Sequence, residues 1–210
     1  VRFTMTVKTL KVGYLQTNCY VILAGAENAI VVDPGGSFVA IDTYLQKNGV
    51  KHLSVLLTHA HFDHILAVKE LYDKYGAYVV IGKDDADSLN SDYNLAEAMG
   101  LEELPEIRVD KTVEDGEKFE LYNIPISVIA TPGHTKGSVC YIIDDIIFAG
   151  DTLFRESYGR TDFAGGSYAE MKKSLRKLFS LQGKYRVLTG HGEETSLEYE
   201  RRYNPINYEI

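Results

Sequence analysis

Thr58-His59-Ala60-His61-Phe62-Asp63-His64 packs four potential metal ligands into six residues, 59–64. Residues 53–57 before it are apolar with β-branched content and read as a buried strand. After it, apolar residues at 65, 68, 71, 72 and 75 keep helical spacing from His64 until Gly76 stops the pattern. The stretch is thus a loop between a strand and a helix. In an extended loop His59 and His61 point the same way, because side chains alternate with period two. Asp63 and His64 turn away as the helix begins, toward a second position nearby. One loop can then serve two ions, which two-metal hydrolases hold ~3.5–4 Å apart. Neutral imidazoles with carboxylates suit zinc first, and also iron or manganese.

The same pattern recurs outward from this loop. Thr131-Pro132-Gly133-His134-Thr135 puts a histidine on a Pro-Gly turn after a strand, Gly150-Asp151-Thr152 puts an aspartate after an apolar strand, and Gly190-His191-Gly192 adds a last imidazole. The chain has six histidines, and five of them, 59, 61, 64, 134 and 191, fall in such loops. Strand ends are where side chains from distant sequence converge, and a carboxylate at Asp151 is able to bridge two ions.

Further strands are expected at 3–7, 19–24, 29–32, 78–81, 126–130, 138–143, 146–149 and 186–188. Ser37 is expected to cap a helix over 37–48, Ser167-Tyr168-Ala169-Glu170 reads as a capping box for another, and 194–202 reads as helical. Short helical stretches are expected near 84–90 and 94–99. Cys19-Tyr20-Val21-Ile22 before the strand ending at Asp33 is echoed by Cys140-Tyr141-Ile142-Ile143 before the strand ending at Asp151. Each is followed by a helix and then by a strand that ends in a His-bearing loop. Two such halves give two facing sheets with helices outside.

The chain has 210 residues, against ~150 per domain, so one domain over 1–210 is expected, able to bury a core without staples. Residues 83–120 hold thirteen acids against four bases, while the rest of the chain is close to neutral, so this segment reads as a solvated acidic excursion over the surface. The net charge of −8 argues against a nucleic-acid partner. No apolar run approaches the ~18 residues of a membrane span, nor does the N-terminal stretch read as a signal peptide. Two cysteines make no disulfide framework; both read as small buried hydrophobes, and the compartment is read as cytoplasmic. The expected partner is a small-molecule substrate, and oligomeric state is not readable.

In this order, T-H-A-H-F-D-H, T-P-G-H-T, G-D-T-L-F and G-H-G resemble the signature of the metallo-β-lactamase superfamily over nearly the whole chain. Gly159-Arg160-Thr161-Asp162-Phe163 with Gly165-Gly166-Ser167 brings it near the short glyoxalase II-like hydrolases. The resemblance implies an α/β fold of αββα sandwich type. It implies His59, His61 and His134 as ligands of a first metal, Asp63, His64 and His191 as ligands of a second, and Asp151 as the bridge. Asp33 matches a position that supports the ligand loop, with a plain turn aspartate as the alternative. A hydroxide between two divalent ions would then attack an ester, thioester or amide carbonyl, with Asp63 or Asp151 orienting it.

Arg160 aligns with a basic position that contacts glutathione in glyoxalases II, but the aromatic residue expected two places later is Asp162. Nineteen residues follow His191, too few for the helical C-terminal domain of full-length glyoxalases II, so the glutathione site is expected to be half present, with Arg201 and Arg202 as substitutes or as a solvated pair. The leading expectation is a hydrolase of thioesters such as S-acylglutathiones. The alternatives are an iron-dependent persulfide dioxygenase, which shares G-R-T-D-F, a lactone or ester hydrolase, and a binding module on a dead site.

Overall fold

The computed structural model describes residues 6–101 and 104–209. One six-stranded sheet has the order β1 (Val7–Val12), β2 (Thr17–Ala24), β3 (Asn28–Val32), β4 (His52–Leu57), β5 (Tyr78–Gly82), β6 (Lys111–Val113). Its helices are α1 (Phe38–Lys47), α2 (Phe62–Ile65) and α3 (Val68–Tyr75). The second sheet is built from β7 (Lys118–Leu121), β8 (Ile124–Ala130), β9 (Val139–Ile143), β10 (Ile146–Gly150), β13 (Arg186–Thr189) and β14 (Thr195–Ser196). A small hairpin, β11 (Leu153–Phe154) and β12 (Ser157–Tyr158), precedes α4 (Tyr168–Phe179), and α5 (Leu197–Tyr203) follows β14.

Strand alternation sorts the side chains into layers. Val21, Val31, Val55 and Val79 face α1 and α3 in one apolar cluster, with Ile41, Leu45, Val68 and Leu71. Their neighbours Ile22, Ile30, Leu56 and Val80 face the second sheet and pack with Val128, Tyr141, Phe148 and Leu188. Beyond that sheet, Cys140, Ile147 and Val187 pack against Met171, Leu175 and Leu178 of α4. The result is the expected helix–sheet–sheet–helix sandwich. Fully buried side chains such as Phe148 each contribute ~1.5–3 kcal/mol to the central layer.

The sequence echo is a structural repeat. β2–β3 and β9–β10 are antiparallel pairs, while β3–β4 and β10–β13 are parallel. Tyr20 pairs with Val32, which pairs with Leu56; Tyr141 pairs with Phe148, which pairs with Leu188. The two tyrosines cross between the sheets. Tyr20 Oη donates to the Thr189 carbonyl at 2.6 Å, and Tyr141 Oη donates to the Leu57 carbonyl at 2.9 Å. Each hydroxyl thus anchors the end of the other half's His-bearing strand.

Several local expectations differ from the structure. The strand expected at 3–7 falls partly on residues 1–5, outside the described residues; β1 runs over Val7–Val12, an edge strand that exposes its lysines. Ser37 stands before α1 but does not cap it; its hydroxyl accepts from the Gly13 amide at 3.0 Å. The helix expected from His64 is split, because the turn after Asp33 presses on it. A Cβ on Gly35 would lie 1.6 Å from the Asp63 carbonyl, and the Ala67 amide donates to the Pro34 carbonyl instead of continuing the helix. Within 83–120, Lys111–Val113 and Lys118–Leu121 are edge strands, one in each sheet, rather than surface excursion. Ser167 does cap α4, accepting from the Glu170 amide at 3.3 Å, and both cysteines are buried.

Candidate metal centre

The parallel strands β3, β4, β10 and β13 end at one rim, and the loops that leave them carry the chemistry. At the end of β3, Asp33 takes the left-handed conformation (φ 50°), which turns its carboxylate under the His loop. Its two oxygens accept from the Thr58 amide at 2.8 Å and the Thr58 hydroxyl at 2.7 Å. With its proton given to Asp33, the Thr58 hydroxyl accepts from His59 Nδ1 at 3.1 Å, and His64 Nδ1 donates to Asp33 Oδ2 at 3.0 Å. This network orients both rings and aims Nε2 of His59 and of His64 into the centre. Asp33 is therefore a support for the ligand loop rather than a plain turn residue.

His134 is set in the same manner from the other sheet: its Nδ1 donates to the Arg160 carbonyl at 2.7 Å, leaving Nε2 to face His61 Nδ1 at 2.9 Å. His191 Nε2 lies 3.1 Å from Asp63 Oδ2, which also accepts from the Thr17 hydroxyl at 3.2 Å. Asp151 sits between the groups. Its Oδ1 is 3.4 Å from His64 Nε2, and its Oδ2 is 3.5 Å from His134 Nε2 and 3.6 Å from His191 Nε2. Three donor triads have all their ligand atoms within 4.8 Å of one another: His59, His61 and His134; Asp63, His64 and His191; and His59, His64 and Asp151. All seven sequence-derived residues are brought together.

The donors fit divalent cations. His59 Nε2, His61 Nε2, His64 Nε2 and Asp151 Oδ1 are buried with no hydrogen-bond partner. An unpartnered buried polar atom costs ~1–3 kcal/mol, so His59 Nε2, His64 Nε2 and Asp151 Oδ1, which belong to one donor triad, call for a ligand that the protein itself does not supply. Burial and the neighbouring imidazoles push His59 well below the usual histidine range and His61 down to about 3, so both rings are neutral donors at neutral pH. Against the effect of burial, the carboxylates of Asp151, Asp63 and Asp33 hold His64 above the usual histidine range in the metal-free chain, and that imidazolium in turn keeps the Asp63 and Asp151 carboxyls below theirs; a bound ion would take the place of its Nε2 proton.

Two features escape a reading of the sequence. Asp85 lies inside the acidic segment yet is buried, accepting from the Ala60 amide at 3.0 Å, the Thr135 hydroxyl at 2.7 Å and the Gly137 amide at 2.7 Å. It lies in the turn Lys83–Asp85 that follows β5, and its place just beyond a strand is the one signal that marks it. The Arg160 guanidinium is held in a two-pronged pair by Asp162, 2.7 Å for each bond, over the Phe163 ring at 3.9 Å. Only its carbonyl reaches the metal ligands. Arg201 is turned away, donating to the Phe179 and Leu181 carbonyls beyond the end of α4. Beside the centre lies a cleft of about 470 Å³, lined by Ala60, Thr135, Lys136, Tyr93, Gly165 and Asp87 among others. No helix among the described residues is long and apolar enough to cross a membrane.

Residues 12–191 match the family model of the metallo-beta-lactamase superfamily. A probable metallo-hydrolase, YqgX of Bacillus subtilis, is 32% identical over 95% of this chain and 96% of its own length. The hydroxyacylglutathione hydrolase GloC of Haemophilus influenzae is 30% identical over 96% of this chain and 98% of its own. Among solved structures, the BLEG-1 B3 metallo-beta-lactamase superposes with a TM-score of 0.90 at 32% identity, covering 96% of this chain and 99% of that one. TTHA1623 in a di-iron-bound form gives 0.84 at 33% identity, covering 95% and 99%. ETHE1 from Myxococcus xanthus gives 0.78 at 29% identity, covering 96% and 84%.

Proposed function

The chain belongs to the metallo-beta-lactamase superfamily, and on that premise we propose that it is a two-metal hydrolase of thioesters of the S-acylglutathione kind. The observation that carries this reading is Asp151, whose carboxylate lies between the two donor triads, Oδ1 toward His64 of one and Oδ2 toward both His191 of that one and His134 of the other. GloC, a relative similar over nearly its full length, bears the name of a hydroxyacylglutathione hydrolase. His59, His61 and His134 would hold one ion, Asp63, His64 and His191 the other, with Asp151 between them. When bound, such ions polarise a carbonyl oxygen and bring a water toward neutral acidity, ~7 for a single zinc.

The residues of the chain do the rest. Asp63, with Oδ2 fixed by Thr17 and His191, accepts a hydrogen bond from the attacking water and aims it. Asp33 and the Arg160 carbonyl orient His64 and His134 with Nε2 toward the centre. The thioester carbon gains the water oxygen, the C–S bond breaks, and the thiol leaves with a proton. The cleft beside Ala60 and Thr135 receives one arm of the substrate. Thiol release from S-lactoylglutathione by zinc-loaded protein is expected, falling ~10²–10⁴-fold in Asp63→Ala. No turnover by protein that holds two ions overturns the thioester assignment and turns the search to lactones and other esters.

A second reading has its own observation. His59, His64 and Asp151 form a two-histidine, one-carboxylate triad, a donor set that suits non-haem iron oxygenases, and the ETHE1 fold is similar at 29% identity. Persulfide-dependent oxygen uptake by iron-loaded protein is the outcome that favours a persulfide dioxygenase.

A further inference from the structure

We propose that Asp85 is the positioning residue of the three-histidine group, a strap that holds the two loops bearing His59, His61 and His134 at metal-binding distance. The inference rests on the two-metal reading above. Ala60 lies between His59 and His61, while Thr135 and Gly137 follow His134 on a loop from the other sheet. Asp85 Oδ2 takes the Ala60 amide at 3.0 Å and the Thr135 hydroxyl at 2.7 Å; Oδ1 takes the Gly137 amide at 2.7 Å. One carboxylate therefore joins three elements: the turn after β5, the loop after β4 and the loop before β9.

The arrangement is selective. Asp33 braces Thr58, His59 and His64 but touches nothing on the 131–138 loop. His134 has its own bond to the Arg160 carbonyl, which orients the ring without setting its distance from His61. The 2.9 Å hydrogen bond between His61 Nδ1 and His134 Nε2 also spans the two loops, but an ion taken up by these nitrogens replaces it, so the loops need a tie that lies outside the ligand set. Asp85 is that tie. The nearby contact from the Val139 amide to the Thr58 carbonyl, 2.9 Å, joins the same loops at their roots, while Asp85 joins them next to the ligands themselves.

Glu200 supplies the comparison that separates positioning from plain stability. It is equally buried and accepts from the Glu156 amide, the Thr195 hydroxyl and the Asn204 amide group, but none of these neighbours is a site residue. The experiment is cobalt(II) titration of the metal-free full chain, read by visible absorption and by competition with a chromophoric chelator. Wild type, Asp85→Asn, Thr135→Val and Glu200→Gln are compared, with circular dichroism as the check on folding. In Asp85→Asn, either orientation of the introduced amide points its NH₂ at an N–H or O–H donor. The expected result is two ions per wild-type chain, with one of them weakened ~10–100-fold in Asp85→Asn and the other unchanged. Thr135→Val, which keeps the carboxylate and removes one donor, is expected to weaken the same ion several-fold. Glu200→Gln is expected to lower thermal stability with both ions retained at wild-type affinity. Wild-type affinities in Asp85→Asn, or a loss matched by Glu200→Gln, overturn the proposal; if Asp85→Asn does not fold, wild-type affinities in Thr135→Val overturn it. A wild-type chain that binds no ion overturns the two-metal reading and this inference together.

Discussion

β2, β3, α1 and β4 recur in order and pairing as β9, β10, α4 and β13. His59 follows Leu56 by three residues and His191 follows Leu188 by three, so the first histidine of each loop leaves its strand at the same place. The halves part at the aspartates. Asp33 comes directly after Val32, whereas the register of β10 shifts between Phe148 and Gly150, and Asp151 emerges three residues after Phe148. That shift carries Asp151 among the imidazoles, while Asp33 stays behind them as a hydrogen-bond acceptor. One framework thus yields a carboxylate among the candidate ligands in one half and a supporting carboxylate in the other. The first half concentrates His59, His61, Asp63 and His64 in one loop; the second contributes His134, Asp151 and His191 singly, from three loops.

The largest expected effect tests the asymmetry of the aspartates. Asp151→Ala should lower kcat/KM ~10³–10⁴-fold, because Asp151 faces both triads. Asp33→Asn should cost ~10–100-fold in metal affinity or activity, the usual effect of a lost support. Steady-state kinetics with metal analysis separates them, and equal losses would erase the distinction.

Next comes the packing of the second half. A Cβ on Gly190 would lie 2.1 Å from Asp151 Oδ1 and 2.9 Å from His64 Cε1. Gly190→Ala should therefore displace Asp151 and cost ~10²-fold in kcat, the penalty of a misplacement near 1 Å. Retained activity would mean that the second half is less tightly set than its contacts imply.

The symmetric feature predicts a smaller, equal effect. Tyr20→Phe and Tyr141→Phe each remove one cross-sheet hydrogen bond, and each should cost ~1 kcal/mol in urea unfolding. A clear inequality would show that the repeat is one of path and not of energetics.

The smallest effect concerns specificity. Arg160 holds the Asp162 carboxyl at about 2. The folded-state value is depressed, so the charged pair is kept above it and would be lost only as pH falls through about 2. Over any ordinary assay range Arg160 is therefore engaged. Asp162→Ala should free the guanidinium and raise kcat/KM for anionic glutathione thioesters a few-fold, evenly from mildly acidic to mildly basic pH, with neutral thioesters unaffected. Neutralising Asp84 and Asp87, which line the cleft, should act in the same direction. No change in either variant would remove charge as a determinant of substrate choice.

The gathering of the seven candidate ligands was legible because side chains from distant sequence converge where strands end, and short motifs mark those ends. The sandwich was legible because the Cys-Tyr echo and the alternation of strand residues follow local rules. What was not legible depends on partners distant in sequence. Asp85 reads as one more solvated acid until Ala60, Thr135 and Gly137 arrive from two other loops. The Ser37 hydroxyl is taken by Gly13, which no local cap pattern reveals. β6 and β7 are short edge strands with charged residues in them, too brief for periodicity to rise above the acidic background. The Arg160–Asp162 pair depends on a turn that folds residues two apart onto each other, which fixed-spacing helix or strand rules do not anticipate.

Metal content per folded chain is the most direct test of the two-triad centre. After loading with zinc and removal of free ion, two ions are expected in the wild-type chain, about one in His61→Ala, and about one in His191→Ala. One ion in the wild type, insensitive to loss of His191, would contradict the two-triad centre and leave a single-metal site at His59, His64 and Asp151.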